Sequence, residues 1–146
     1  MNVNHLVKRT ISSASQKLPS REEVESVQQV LRDAEFVLWS TMQPRDQRHS
    51  VEVLRRFDVL APSAQTSERA AALLHDVGKN ASQLGLVTRI IATIIGPRGK
   101  RFSLYHQHEA VGAGLLKAVS DARTVELVAG SCHDDVAAAL RDADDI

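Results

Sequence analysis

Residues 67–77 read Ser-Glu-Arg-Ala-Ala-Ala-Leu-Leu-His-Asp-Val, and this stretch decides how the chain folds. Ala70, Ala71, Ala72, Leu73, Leu74 and Val77 leave almost no polar face. A helix that is apolar nearly all round is normally central and buried, so the rest of the chain must wrap it. Gly78 reads as its stop. Upstream, Ser20 with Glu23 three residues on is a capping-box pattern. Val24, Val27, Leu31, Ala34 and Leu38 follow at three- and four-residue spacing, which predicts one long helix over 20–43, ended by Pro44. Val51, Leu54 and Phe57 make the stretch 49–57 amphipathic, and Pro62-Ser63 marks a loop.

Downstream, Leu86, Val87, Ile90, Ile91, Ile94 and Ile95 form another apolar face. Its β-branched content would suit a strand, but the spacing favours a helix and no other strand is available to pair with it. Gly96-Pro97 ends it, the basic loop Arg98-Gly99-Lys100-Arg101 follows, and helical patterns recur over 105–119, 122–132 and 136–144. The expected fold is all-α, a bundle of about six or seven helices. Residues 1–19 form an arm or short helix, and 20–146 form a single domain.

Composition sets outer limits. The chain has 146 residues, 43% hydrophobic and 25% charged, which is globular composition and room for one core. Lys plus Arg and Asp plus Glu each number 18, so the formal charge is zero, and no extended nucleic-acid surface is expected. The longest apolar run, residues 110–116, falls far short of the roughly 20 residues of a membrane span. Ser and Gln stand where a signal peptide would be apolar. The single cysteine, Cys132, rules out an internal disulfide. The expectation is a cytoplasmic protein with no membrane partner. Aromatic content is 3%, and Phe36, Trp39, Phe57 and Phe102 read as core.

The chemistry gathers around histidine and aspartate. His75 and Asp76 lie in the most apolar helix, and burying an ionised aspartate there is costly without compensation. A metal ion compensates well, because imidazole and carboxylate are natural ligands. Adjacent helical residues diverge by about 100°, so both can reach one ion on that flank. His49 lies 26 residues upstream near the start of its own helix. Asp144 follows Ala143 on the apolar flank of the last helix, unlike the solvated Asp142 and Asp145. His108 precedes Gly112 by four residues, and His133 falls at the end of the 122–132 pattern. Asp134 and Asp135 read as caps of the last helix. Cys132 beside His133 lacks any orienting or oxyanion group and reads as a bystander.

This arrangement resembles the HD superfamily of metal-dependent phosphohydrolases. Residues 72–79, Ala-Leu-Leu-His-Asp-Val-Gly-Lys, are similar to the family's His-Asp-Ile-Gly-Lys variant. Asp46-Gln47-Arg48-His49-Ser50 matches the outer histidine, and Leu140-Arg141-Asp142-Ala143-Asp144 the closing Leu-x-x-Ala-Asp; the motif-bearing part is 45–146. The resemblance implies that His49, His75, Asp76 and Asp144 hold a first divalent transition metal (Mn, Fe, Co, Ni or Zn, with Mg conceivable). Two-metal members add histidines, for which His108 and His133 stand at fitting positions. Asp134 replaces the second histidine of a pair found in some of them.

The implied activity is hydrolysis of a small phosphate ester, a nucleotide or phosphodiester, by metal-activated water, with Asp76 and Lys79 as catalytic candidates. Lys79 could contact a substrate phosphate or simply offset the helix C-terminal dipole. Arg48, Lys100 and Arg101 are candidate phosphate contacts or solvated cations. His106 is a candidate substrate contact or a surface histidine. Two other expectations stay open: a catalytically silent metal- or nucleotide-binding regulatory module, and a di-iron oxygenase. The 20–43 apolar stripe could pack on the bundle or form a homodimer interface.

Overall fold

The computed structural model describes residues 17–78 and 116–145. Among them are six helices and no strand: α1 (Arg21–Val30), α2 (Asp33–Ser40), α3 (Pro44–Leu60), α4 (Thr66–Leu74), α5 (Ala122–Ala129) and α6 (Asp135–Asp144). The all-α expectation holds. The expected helical patterns over 86–95 and 105–115, and the arm before residue 17, lie outside the described residues.

α4 is the centre. Ala71, Ala72, Leu73 and Leu74 are each 0% exposed, as an all-round apolar helix requires. α3 and α5 flank it, α1 and α2 touch it, and α6 packs against α3. Burying a leucine such as Leu73 contributes about 1.5–3 kcal/mol, so this helix anchors the fold. Its start is held by Gln65, whose N–H donates to Glu68 Oε2 at 2.8 Å. Glu68 is itself buried, and its other oxygen accepts from Arg123 Nε on α5 at 3.1 Å.

The predicted long helix over 20–43 is two helices. Ser20 caps the first as expected, its Oγ accepting from Glu23 N–H at 3.2 Å while Glu23 Oε2 accepts from Ser20 N–H at 2.8 Å. The chain then turns extended at Leu31 (ψ 144°) and Arg32 (ψ 162°). Glu35 starts α2 by accepting the Arg32 N–H at 2.9 Å, and its second oxygen accepts from Ser120 Oγ at 2.7 Å. The break lets Val27 and Leu31 on one side, and Leu38 and Trp39 on the other, all reach one core. Of the stripe read as packing on the bundle or forming a dimer face, Val27, Leu31 and Leu38 are buried in this core and Val24 packs against it.

Pro44 opens α3 at its first turn, where a missing N–H costs nothing. Trp39 and Phe57 are buried as predicted, and Trp39 Nε1 donates to Ser50 Oγ at 2.8 Å. Arg69 on α4 grips Asp58 on α3 with two hydrogen bonds, 2.8 and 2.9 Å. α5 stops earlier than predicted, at Ala129. Gly130 adopts a left-handed φ of 72°, and Ser131 N–H returns to the Glu126 carbonyl at 3.1 Å. Cys132 and His133 thus lie in the connection to α6, not in a helix.

A Cβ at Gly130 would meet nothing within 4 Å, so its cost is backbone strain alone. Gly130→Ala should lower stability by about 1 kcal/mol, and Gly130→Asn by less, since asparagine tolerates this region. Urea unfolding of both variants checks the order; equal stability of all three proteins would contradict it.

Candidate metal centre

The predicted helix through Val77 stops short. α4 ends at Leu74, with His75 as its C-cap, and Val77 N–H bonds back to the Leu74 carbonyl at 3.0 Å. At this end His75 Nδ1 lies 2.8 Å from the Ala72 carbonyl. That carbonyl would accept the Asp76 N–H in a continuing helix. His75 and Asp76 therefore sit where the buried helix emerges, partly covered, with side chains 12% and 17% exposed.

α3 supplies His49 from its first half, and the last residue of α6 supplies Asp144. His49 Nε2 lies 2.9 Å from Asp144 Oδ1, and His75 Nε2 lies 3.2 Å from the same oxygen. His75 Nε2 is also 3.4 Å from Asp76 Oδ2. The two imidazole rings meet edge to face, their centroids 5.8 Å apart. Ligand atoms of His49, His75 and Asp76 all lie within 4.8 Å of one another. Four residues singled out in the sequence thus converge from two helices, α3 and α6, and the turn that ends α4.

Proton bookkeeping shows what this convergence needs. A carbonyl only accepts, so His75 Nδ1 must carry hydrogen and donate to Ala72. In the neutral ring, Nε2 is then a lone pair pointing at two carboxylates. That is repulsive unless something positive lies between them. One solution is a second proton on His75. Burial opposes that charge, but the Asp144 hydrogen bond and the charges of Asp76 and Asp144 outweigh it, and the His75 pKa rises above its usual value. The other solution is a cation held by Nε2. Metal-binding histidines commonly fix the other ring N–H on a backbone carbonyl in this way. Two imidazole nitrogens beside two carboxylates form a borderline donor set that suits a divalent transition metal. His49, His75 and Asp76 could hold a metal ion.

Asp144 is held well below the usual carboxylate range, by the His49 hydrogen bond first and the His75 bond second. His49 can donate its Nε2–H to Asp144 while remaining neutral.

The other sequence candidates are placed differently. Arg48 is partly buried on α3, next to His49. His133 is exposed in the loop before α6 and is not part of the triad. Asp134 is already engaged: it caps α6, its Oδ1 accepting from Ala137 N–H at 3.0 Å, while Oδ2 pairs with Arg123 Nη1 at 2.8 Å. Those contacts, Arg123 foremost, hold its carboxyl below the usual range. Its role as a helix cap, predicted from sequence, accounts for an aspartate at this place. Arg123 Nη1 also lies 3.4 Å from Cys132 Sγ. Lys79, Lys100, Arg101, His106 and His108 lie outside the described residues. Arg56 escaped the sequence reading. Its Nε donates to the Ala143 carbonyl at 2.6 Å, immediately before Asp144, and no motif marks it.

The two shifted groups set the pH response of the metal-free protein. Asp144 is depressed, so its contribution is present above its unfolded pKa of about 3.9 and is lost as pH falls toward its lower folded value. His75 is raised, so its contribution is full below its unfolded pKa of about 6.5 and is lost as pH climbs through its folded value. Thermal unfolding with chelator present should show greatest stability from these groups between about pH 4 and about pH 6.5. Asp144→Asn should flatten the decline on the alkaline side; an unchanged decline would contradict the assignment to His75.

Comparison with protein-family models, with curated proteins and with solved structures found no match.

Proposed function

We propose that the chain is a metal-dependent phosphohydrolase of the HD type, acting on a small phosphate ester such as a nucleotide. The observation carrying this reading is the shared target of His49 Nε2 and His75 Nε2, together with the fixed Nδ1–H of His75. That tautomer leaves Nε2 available for an ion. Asp76 and Asp144 supply the compensating negative charge. When bound, a divalent ion lowers the pKa of water and offsets charge on a phosphoryl group.

In this reading His49, His75, Asp76 and Asp144 hold one ion. Engagement of Asp134 with Arg123 and with the start of α6 favours one ion over two. It also weighs against the di-iron oxygenase alternative, which needs a complete second site. Mn, Fe, Co, Ni and Zn all suit the donors. Exposure supports an opening on the Asp144 side, whose carboxylate is 44% exposed against 12% for His75. Arg48, next to His49 on α3, is a candidate phosphate contact, with Lys79, Lys100, Arg101 and His106 as further candidates from the sequence.

Elemental analysis of protein purified without chelator or metal-affinity tag tests the proposal. Wild type should carry close to one transition-metal ion per chain, and Asp76→Ala should lose it. Hydrolysis of nucleoside monophosphates or p-nitrophenyl phosphate should be abolished by chelator and fall at least about 100-fold in Asp76→Ala. No metal, even after reconstitution with Mn, Fe, Ni and Zn, would sink the proposal. Full metal occupancy with no turnover would leave the binding module.

A further inference from the structure

α6 ends in an electrostatically awkward way. Asp142, Asp144 and Asp145 crowd its C-terminus, where the helix dipole is negative and the last carbonyls lack partners within the helix. One of those carbonyls, that of Ala143, is 0% exposed with its residue and cannot count on bulk water. Arg56 on α3 supplies the missing donor, Nε to Ala143 O at 2.6 Å. Its Nη1 lies 3.9 Å from Glu52 one turn back. Its Nη2 is buried and finds no hydrogen-bond partner among the described residues. A buried guanidinium donor left open is costly, so the side chain is held for what its other nitrogen does.

The placement says what that is. His49 and Arg56 are seven residues apart, two turns along one face of α3. From that face they grip consecutive residues of α6, His49 the side chain of Asp144 and Arg56 the carbonyl just before it. A single contact would let the helix end swivel; two contacts from one rigid helix fix both its position and its rotation. A helix end frays readily, and a metal ligand on the last helical residue needs such a brace.

We infer that Arg56 is a positioning residue: by capping the Ala143 carbonyl and offsetting the acidic helix end, it holds the Asp144 carboxylate against His49 and His75. The inference rests on the metal-centre reading for its effect on ion affinity, but the brace itself is a property of the protein alone.

The test has two arms. In the first, Mn(II) is titrated calorimetrically into metal-free wild type, Arg56→Gln, Arg56→Lys and Arg69→Gln. Arg69→Gln breaks the Asp58 pair elsewhere on α3 and controls for lost stability. Arg56→Gln should bind Mn(II) roughly tenfold more weakly or worse, as for other groups that orient a ligand, with Arg69→Gln near wild type. Arg56→Lys, which keeps charge but moves the donor, should fall between. In the second arm, urea unfolding without metal compares Arg56→Lys, Asp144→Asn and the double variant. The unfolding constant should depart from additivity by more than about threefold, because the two residues act together. Wild-type affinity in Arg56→Gln, or a loss matched by Arg69→Gln, overturns the inference. If wild type itself binds no metal, the proposed function fails and the unfolding cycle decides: additive effects overturn the brace, and coupled effects uphold it.

Discussion

Everything around the site depends on one hydrogen bond, from His75 Nδ1 to the Ala72 carbonyl at 2.8 Å. It lies at the point where α4 stops. It also sets the tautomer, leaving Nε2 as a lone pair within 3.4 Å of two different carboxylates. A positive charge must then enter the space, as a second proton on His75 or as a metal ion. One local contact thus links the end of the central helix to the demand for a cation beside it.

The bundle makes that demand stable. α4 is buried on nearly all sides, so its exit is the first place along it where polar side chains can gather at tolerable cost. α3 runs beside α4 and also meets α6, and so it brings His49 and Asp144 to the same place. Ion pairs fasten the surrounding helices: Arg69 to Asp58 between α4 and α3, and Arg123 to Glu68 and Asp134 between α5, the start of α4 and the start of α6. Each such pair is partly exposed and contributes modestly to stability. Their value lies in fixing where helix ends fall, since His75, Asp76 and Asp144 all stand at helix ends.

Much of the candidate site was legible in the chain. A His-Asp pair inside an apolar run is a chemical anomaly that asks for a ligand, and Asp144 stood out from Asp142 and Asp145 by its place on the apolar flank. Residues 49, 75, 76 and 144 do come together. The cap role of Asp134 was legible too, because aspartate before an alanine-rich helix is a strong N-terminal signal. The break at Leu31-Arg32 was not. Arg32 carries no capping oxygen, and the apolar spacing runs straight across the junction; only Glu35 three residues on hints at a new start. Arg56 was equally hidden, because an arginine on a helix looks alike whether it faces water or another helix's last turn.

By itself the sequence determined the helical class, the central place of the apolar stretch within 67–77, the capping of α1 and α6, and the residues His49, His75 and Asp76 that could hold an ion. These follow from local periodicity, from which residues tolerate burial, and from side-chain chemistry, all of which are properties of neighbours along the chain. The tertiary structure alone decided that α1 and α2 are separate helices, that Asp134 is committed to Arg123, and that Arg56 braces Asp144. Those outcomes depend on which groups meet between separate elements, such as Arg56 with Ala143, Glu35 with Ser120 and Arg123 with Asp134. Helix packing creates those meetings, and no local pattern encodes them.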